Sequence, residues 1–525
     1  MKLASLAAAA AVVLSAGRLC ALEIHGSNEF SFAYANITGT GRASSSLTQG
    51  WRYLDVLNLN TAGKYAGWDY NLSVGGKATD DRRNDPVNFS MTTLSGKVTN
   101  GEHTLGAGDV FENFSQYTMN TSLKGFSYKF AKQGARLPEA TLIYGAAYPR
   151  WDNFYGDSRT ATAKRNGFGA RLKFSPFEEL AVGGNAVLSR DTKRVNPTDT
   201  LTDNNNYSID YEWKPIGGLS VTGESSWANN NNYAGGGAAG VTQNGAAHRI
   251  EVVGDGGPSR VTLEGERVGT NYATTLGAAT ADRLKGKAKW RYKVNRDLSL
   301  NTGMLWFRNN LRGQLGFTTN TYKPEIGATL KRVFGRQYSS ADLSYKYDRK
   351  TAGPTNSGDH YINLNYKDRF AGIDTDTNAG FTTYNTFPNT RSAREFLLNT
   401  TLSGRKTMGS AILKPQLSGG FWRSRDELAL TTDKQYEYAA GLGLELPESN
   451  VTTDIRAGQN LLQKQVGDNS FKFFANWNIY YRPQSLKQFG EVMLFARAFL
   501  NDFAYTTSAK NFRESGVTLG LNTSF

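Results

Sequence analysis

The sharpest polar feature of this chain is the decapeptide LKGKAKWRYK, in which Lys285, Lys287, Lys289 and Arg291 alternate with Leu284, Gly286, Ala288, Trp290 and Tyr292. On a β-strand, period two places the four cations on one face and the apolar residues on the other. Just upstream, Glu264 and Glu266 alternate with Val261, Leu263 and Gly265. If the two segments pair, the glutamates share a face with the lysines. Two chemistries suit such a face: a ladder that attracts anions or an acidic partner, or a set of cross-strand ion pairs that holds a wall together. Both readings stand at the level of sequence. Catalytic motifs are a poorer fit. No G-x-S-x-G, G-x-x-x-x-G-K-[ST], H-E-x-x-H or EF-hand loop occurs. Of the four histidines, His25 lies beside the N-terminal leader and His103, His248 and His360 read at strand starts or loop edges; none has a second histidine at ligand spacing, and each reads as a solvated residue. We expect no enzyme, no catalytic residue and no metal or cofactor bound by this chain.

The elements that hold these residues follow from the rest of the sequence. Lys2, an apolar run from Leu3 to Leu14, and the small residues Ser15, Ala16 and Gly17 read as a secretory signal peptide over 1–21, with cleavage after Gly17 or after Ala21 both open. Cys20 is the only cysteine, and Leu19 before it disfavours lipidation. After cleavage at Ala21 the chain has no thiol for a disulfide, a metal or a haem attachment motif. Haem could then reach it only through a partner. The formal charge of +14 would suggest nucleic acid in a cytosolic protein. Here the basic residues are scattered through alternating segments and the chain is exported, so no nucleic-acid partner is expected.

Beyond the leader, no apolar stretch is long enough for a membrane helix. The dominant signal is period two: Trp68, Tyr70, Leu72, Val74; Phe168, Ala170, Leu172, Phe174; Tyr207, Ile209, Tyr211, Trp213; and Phe471, Phe473, Ala475, Trp477, Ile479, Tyr481. Short turns such as 214–218, 294–297, 368–371 and 447–450 alternate with longer connections, expected over 189–206, 228–247, 269–282, 349–360, 423–435 and 501–514. Twelve strand pairs between Trp51 and Leu500, with an opening strand near Asn28–Ile37 and a closing one over Ser515–Phe525, predict about 26 strands. The fold class is therefore an all-β, antiparallel transmembrane barrel spanning 22–525 as one domain, with short periplasmic turns and long extracellular loops.

The last strand reads VTLGLNTSF, with Val517, Leu519, Leu521 and Phe525 on one face. This resembles the C-terminal assembly signal of Gram-negative outer-membrane barrels. The resemblance implies an outer-membrane location, contact with lipid and lipopolysaccharide, and engagement of the insertion machinery. A barrel of this width needs its lumen occupied. Segment 108–126 loses period two yet carries Phe111, Phe114, Tyr117 and Met119; it folds either into the lumen or, as we expect, among neighbouring loops as a cap. By size and missing plug domain the chain is similar to the porin-like subunit of porin–cytochrome conduits, which implies a sheath around multihaem cytochromes for electron transfer. The alternative is a general or anion-preferring porin narrowed by its own loops.

Overall fold

A computed structural model describes residues 23–132, 138–155, 163–194, 199–233, 240–388 and 390–525. The predicted signal peptide, its two cleavage sites and Cys20 lie outside these residues. From the first described residue the chain is strand: β1 (Glu23–Thr38), β2 (Gly50–Tyr65), β3 (Trp68–Thr79), β4 (Phe89–Thr99), β5 (His103–Val110), β6 (Leu123–Phe130) and β7 (Glu139–Ala146). It continues through β8 (Ala163–Phe177), β9 (Leu180–Arg194), β10 (Leu201–Ile216), β11 (Leu219–Tyr233), β12 (Val241–Asp255), β13 (Ser259–Val268) and β14 (Arg283–Lys293). Then come β15 (Leu298–Arg308), β16 (Thr319–Lys331), β17 (Ser340–Ala352), β18 (Thr355–Phe370), β19 (Ile373–Phe387), β20 (Arg391–Gly404) and β21 (Lys406–Met408). The wall ends with β22 (Ala411–Asp426), β23 (Thr431–Leu446), β24 (Val451–Gln463), β25 (Ser470–Tyr481), β26 (Glu491–Tyr505) and β27 (Phe512–Ser524).

Successive strands pair antiparallel, and β1 pairs with β27 from Ser27 opposite Ser524 to Thr38 opposite Arg513, so the sheet closes into a barrel. β20 and β21 both pair with β22 and share one wall position, interrupted at Arg405. The barrel thus has 26 wall positions, the number read from the turn spacing. At ~4.8 Å per strand and a tilt of ~40°, such a ring is roughly 50 Å across.

Burial in this barrel is inverted relative to a water-soluble protein. The exposed side chains include Phe168, Leu172 and Phe174 on β8 and Tyr207, Ile209 and Trp213 on β10, whereas Asn204, Asn206 and Ser208 on the other face of β10 are buried. Water would penalise so much exposed apolar area; hydrocarbon would not. The two-residue turns at Ala66–Gly67 and Ala371–Gly372 explain the tight ends. Both residues of each pair have positive φ, 50° and 81° in the first and 50° and 79° in the second, the conformation that reverses a right-twisted ribbon in two residues.

Several connections are shorter than the sequence suggests. Leu201–Asn206, Asn229–Tyr233, Arg349–Ala352, Thr355–His360 and Asn501–Tyr505 are strand, as are Arg423–Asp426 and Thr431–Gln435. Likewise β1 starts at Glu23 rather than near Asn28. Backbone pairing does not require an apolar side chain, so the ladder continues into polar sequence. A strand of 15 or 16 residues, as in β10 and β11, rises roughly 50 Å, well beyond the nine to eleven residues that cross a bilayer. For the same reason His248 and His360 lie inside β12 and β18 rather than at strand ends. His248 Nδ1 is 3.1 Å from Ser225 Oγ and His360 Nδ1 is 2.9 Å from Tyr345 Oη.

Phe525 sits at the seam. Its carbonyl accepts from Gly26 N at 2.7 Å, its N–H donates to Gly26 O at 3.0 Å, and its ring covers Gly26, where an added Cβ would meet Phe525 Cε2 at 2.6 Å. Deleting Phe525 removes both bonds and the cover. The deletion is expected to lower the fraction that migrates as the compact, detergent-resistant form on unboiled gels; an unchanged fraction would show that the seam closes without it.

Candidate functional site

The chain leaves the wall at Val110 and returns at Leu123. Between them, residues 111–122 do not form a free loop but lie across the polar face of β8 to β11. Phe114 and Met119 press on Gly169, where a Cβ would lie 2.5 Å from Phe114 Cε2 and 3.1 Å from Met119 Cε. Only glycine permits this approach. Arg171 then ties the segment down by donating to Phe114 O. The same guanidinium donates to Asn185 Oδ1 at 2.6 Å and to both Asp210 oxygens at 2.7 and 2.8 Å. Ser115 Oγ lies 3.2 Å from Ser208 Oγ, and Tyr117 N donates to Glu224 Oε1 at 3.3 Å.

A second segment, 269–282 between β13 and β14, packs on the first. Asn120 N donates to Leu276 O and Ala278 N to Gln116 O, both at 2.8 Å. Tyr272 Oη donates to Tyr117 O at 3.1 Å and lies 2.8 Å from Ser226 Oγ. Asn204 Nδ2 donates to Ala273 O at 3.0 Å. At Gly245 a Cβ would stand 2.3 Å from Tyr272 N, so a side chain there would push the segment off the wall. The pair encloses two apolar clusters: Val110, Phe114, Met119, Leu123, Ile143, Val187 and Leu276 in one, and Tyr117, Ala228, Ala247, Val268 and Tyr272 in the other. Tyr117, Met119 and Leu123 are fully buried, and burial contributes about 1.5–3 kcal/mol for each of Met119 and Leu123. The cap expected for 108–126 is therefore half of the arrangement. The segment does meet a neighbouring loop, but its apolar side chains are buried against the wall, because glycines on β8 leave room there.

Beside the segments a cavity of about 520 Å³ is bounded by Phe114, Gln116, Arg171, Asp210, Glu224 and Arg249. The lysine ladder adjoins it. Glu264 stands opposite Lys287 and Glu266 opposite Lys285 in the β13–β14 register. Lys285 Nζ is 2.8 Å from Glu264 and 3.3 Å from Glu266, and Lys287 Nζ is 3.2 Å from Glu264. Arg249 on β12 adds a contact to Glu264 at 3.2 Å and Arg283 one to Glu266 at 3.2 Å. Both glutamates are buried while their cations are part-exposed. Among the described residues Lys289 pairs only with Glu325 on β16, at 3.8 Å with both side chains about half exposed. Arg291 is exposed, opposite Arg260, with no ion pair among the described residues. Of the two chemistries open in sequence, ion pairing accounts for Lys285 and Lys287. Arg171, Asn185, Asp210 and Glu224 were not anticipated. Their signal was in the sequence, as the polar alternates of strands read for their apolar faces, but which of them a distant segment would cover was not.

No family model and no curated protein matches the sequence. Among solved structures, similar chains include the P pilus usher (PapC) translocation pore, at 10% identity and TM-score 0.41, covering 95% of this chain and 100% of that one. The siderophore receptor PirA from Acinetobacter baumannii is similar at 9% identity and TM-score 0.41 over 96% of this chain and 80% of its own. An anion-selective porin from Comamonas acidovorans is similar at 11% identity and TM-score 0.32 over 55% and 89%. These likenesses are weak in sequence and in shape; the fold stands on the strand pairing itself.

Burial, then the negative charge of Glu266 and Glu224, raises the Tyr117 hydroxyl above its ordinary 10.0, and burial raises Tyr272 above the same value. A group raised on folding stabilises below its unfolded value and loses that contribution as pH climbs through the folded one. The packed segments should therefore hold below pH 10 and loosen progressively above it, read as growing protease cleavage within 111–122 while the wall stays intact. Cleavage independent of pH up to 12 would count against this. Replacing Lys285, Lys287 and Lys289 by glutamine leaves Arg249 and Arg283 on the glutamates. Stability should fall only modestly, by roughly 1 kcal/mol for such part-exposed pairs, seen as a small drop in the temperature at which the compact gel form is lost. Glu264→Gln should cost more than that triple change, because it leaves three cations around one neutral hub.

Proposed function

We propose that this protein is an outer-membrane channel whose apolar face meets lipid, whose polar face lines the lumen, and whose own segments 111–122 and 269–282 narrow the passage. The observation that carries this reading is the seating of those segments on the polar face of β8 to β12, with Tyr117, Met119 and Leu276 buried there. The inverted burial of the wall supports the membrane location, since a closed hydrogen-bonded ring leaves no unpaired backbone edge in hydrocarbon. On this reading Lys285, Lys287, Lys289, Arg291, Glu264 and Glu266 line the lumen. Val517, Leu519, Leu521 and Phe525 present the assembly face to the insertion machinery.

A second proposal keeps the porin-like sheath of a multihaem cytochrome conduit, with any haem held by the partner. What favours it is width: the segments bond to strands on one side of a ring roughly 50 Å across, which leaves room for a protein-sized occupant. One preparation separates the two. Purified alone into planar bilayers, a self-narrowed channel conducts, and replacing 112–121 by a short Gly-Ser linker raises single-channel conductance. No conductance from the purified chain would refute the channel reading. Haem staining of protein isolated in mild detergent from its own membrane would instead support the sheath.

A further inference from the structure

Away from the packed segments, the polar face near the seam has an unusual composition. On β25, residues Lys472, Phe474, Asn476, Asn478 and Tyr480 alternate with the apolar set Phe471, Phe473, Ala475, Trp477 and Ile479. Their register partners on β26 are Phe503, Asn501, Phe499, Arg497 and Phe495. Aromatic rings thus occur on the polar face as well as on the apolar one. Glycines on neighbouring strands seat them: a Cβ on Gly516 would be 2.6 Å from Phe499 Cε1, on Gly520 2.2 Å from Phe495 Cζ, and on Gly458 2.7 Å from Phe474 Cζ. The rings cover the strands rather than fill a core.

Cations lie over these rings. Arg497 stands 4.4 Å from the Phe495 centroid and 5.7 Å from Tyr480, Lys472 5.1 Å from Phe503 and 5.9 Å from Phe474, and Arg456 on β24 5.9 Å from Phe474. None of the three forms a salt bridge among the described residues; the one side-chain hydrogen bond they make is from Arg456 Nη2 to Ser418 Oγ, at 3.1 Å. The nearby carboxylates are engaged with other groups, Asp454 by Asn478 and Glu514 by Ser45 and Asn501. This contrasts with Lys285 and Lys287, which glutamates neutralise. From Phe495 to Phe503 the row extends about 27 Å along β26 at 3.4 Å per residue, close to the hydrocarbon thickness.

We propose that the polar face of β24 to β27 is a binding lane for aromatic carboxylates. The proposal rests on the channel reading, which turns this face toward the lumen. A guanidinium with no carboxylate partner offers two parallel N–H donors to a ligand carboxylate. The part-exposed rings of Phe474 and Phe499 offer an apolar surface beside it, while Phe503 is stacked on Phe512 at 4.4 Å. Inorganic anions would use only the charges, and aromatic cations would be repelled by them.

Equilibrium dialysis of the full-length protein in detergent against benzoate, acetate and benzylammonium tests the lane, with bilayer conductance measured on the same preparation. Benzoate is expected to bind more tightly than acetate, and benzylammonium not at all. The combined Arg456→Gln, Lys472→Gln, Arg497→Gln variant should weaken benzoate at least about tenfold. Phe499→Leu, which keeps an apolar cover on Gly516, should weaken benzoate but not acetate. Lys406→Gln, an exposed cation on β21, should change nothing. Unchanged heat-modifiable mobility verifies that each variant is folded; if the triple variant fails that check, Arg497→Gln alone replaces it. Equal benzoate binding in the variants, or an equal loss in Lys406→Gln, would overturn the lane and leave a conducting channel intact. Binding that follows this pattern without conductance would support the lane and refute the channel.

Discussion

Closure of the backbone ladder is the constraint on which everything else depends. A strand edge in hydrocarbon leaves N–H and C=O groups unpaired at several kcal/mol each, so a sheet that faces lipid must return to its first strand. Here β1 and β27 pair from Arg513 to Ser524, and Phe525 bonds to Gly26 just beyond the end of the ladder. Once the ring is closed, side chains have only two destinations. Period two then converts sequence alternation into an apolar face and a polar face all the way round.

The polar face is not uniform, and charge pairing divides it. Around β12 to β14 buried glutamates collect four cations, a network in which each carboxylate would be costly if left alone. Around β24 to β27 the cations rest on rings instead. The first arrangement ties strands together through ion pairs; the second leaves its cations on rings, without carboxylate partners among the described residues.

The packed segments show a third use of the polar face. Residues 111–122 carry apolar side chains whose exposure in a loop water would penalise, and small residues on β8 and β12 create the space that receives them. Gly169 and Gly245 are as necessary to that packing as the tyrosines, since a methyl group at either position collides with the incoming chain. Arg171 supplies the polar half of the joint by satisfying a loop carbonyl and a wall carboxylate at once.

By itself the sequence determined the all-β class, the number of wall positions, the antiparallel hairpin order and the face on which Lys285 and Glu264 lie. Each of these follows from local alternation and turn chemistry, which are written residue by residue. It did not determine where strands stop, because backbone pairing continues through polar runs such as Asn229–Asn232 as readily as through apolar ones. Nor did it reveal that Tyr117 meets Tyr272, or that Arg497 lies over Phe495. Those contacts join residues far apart in the chain or depend on which side chains neighbouring strands present. Only the closed barrel, with its register and its glycine gaps in place, decides them.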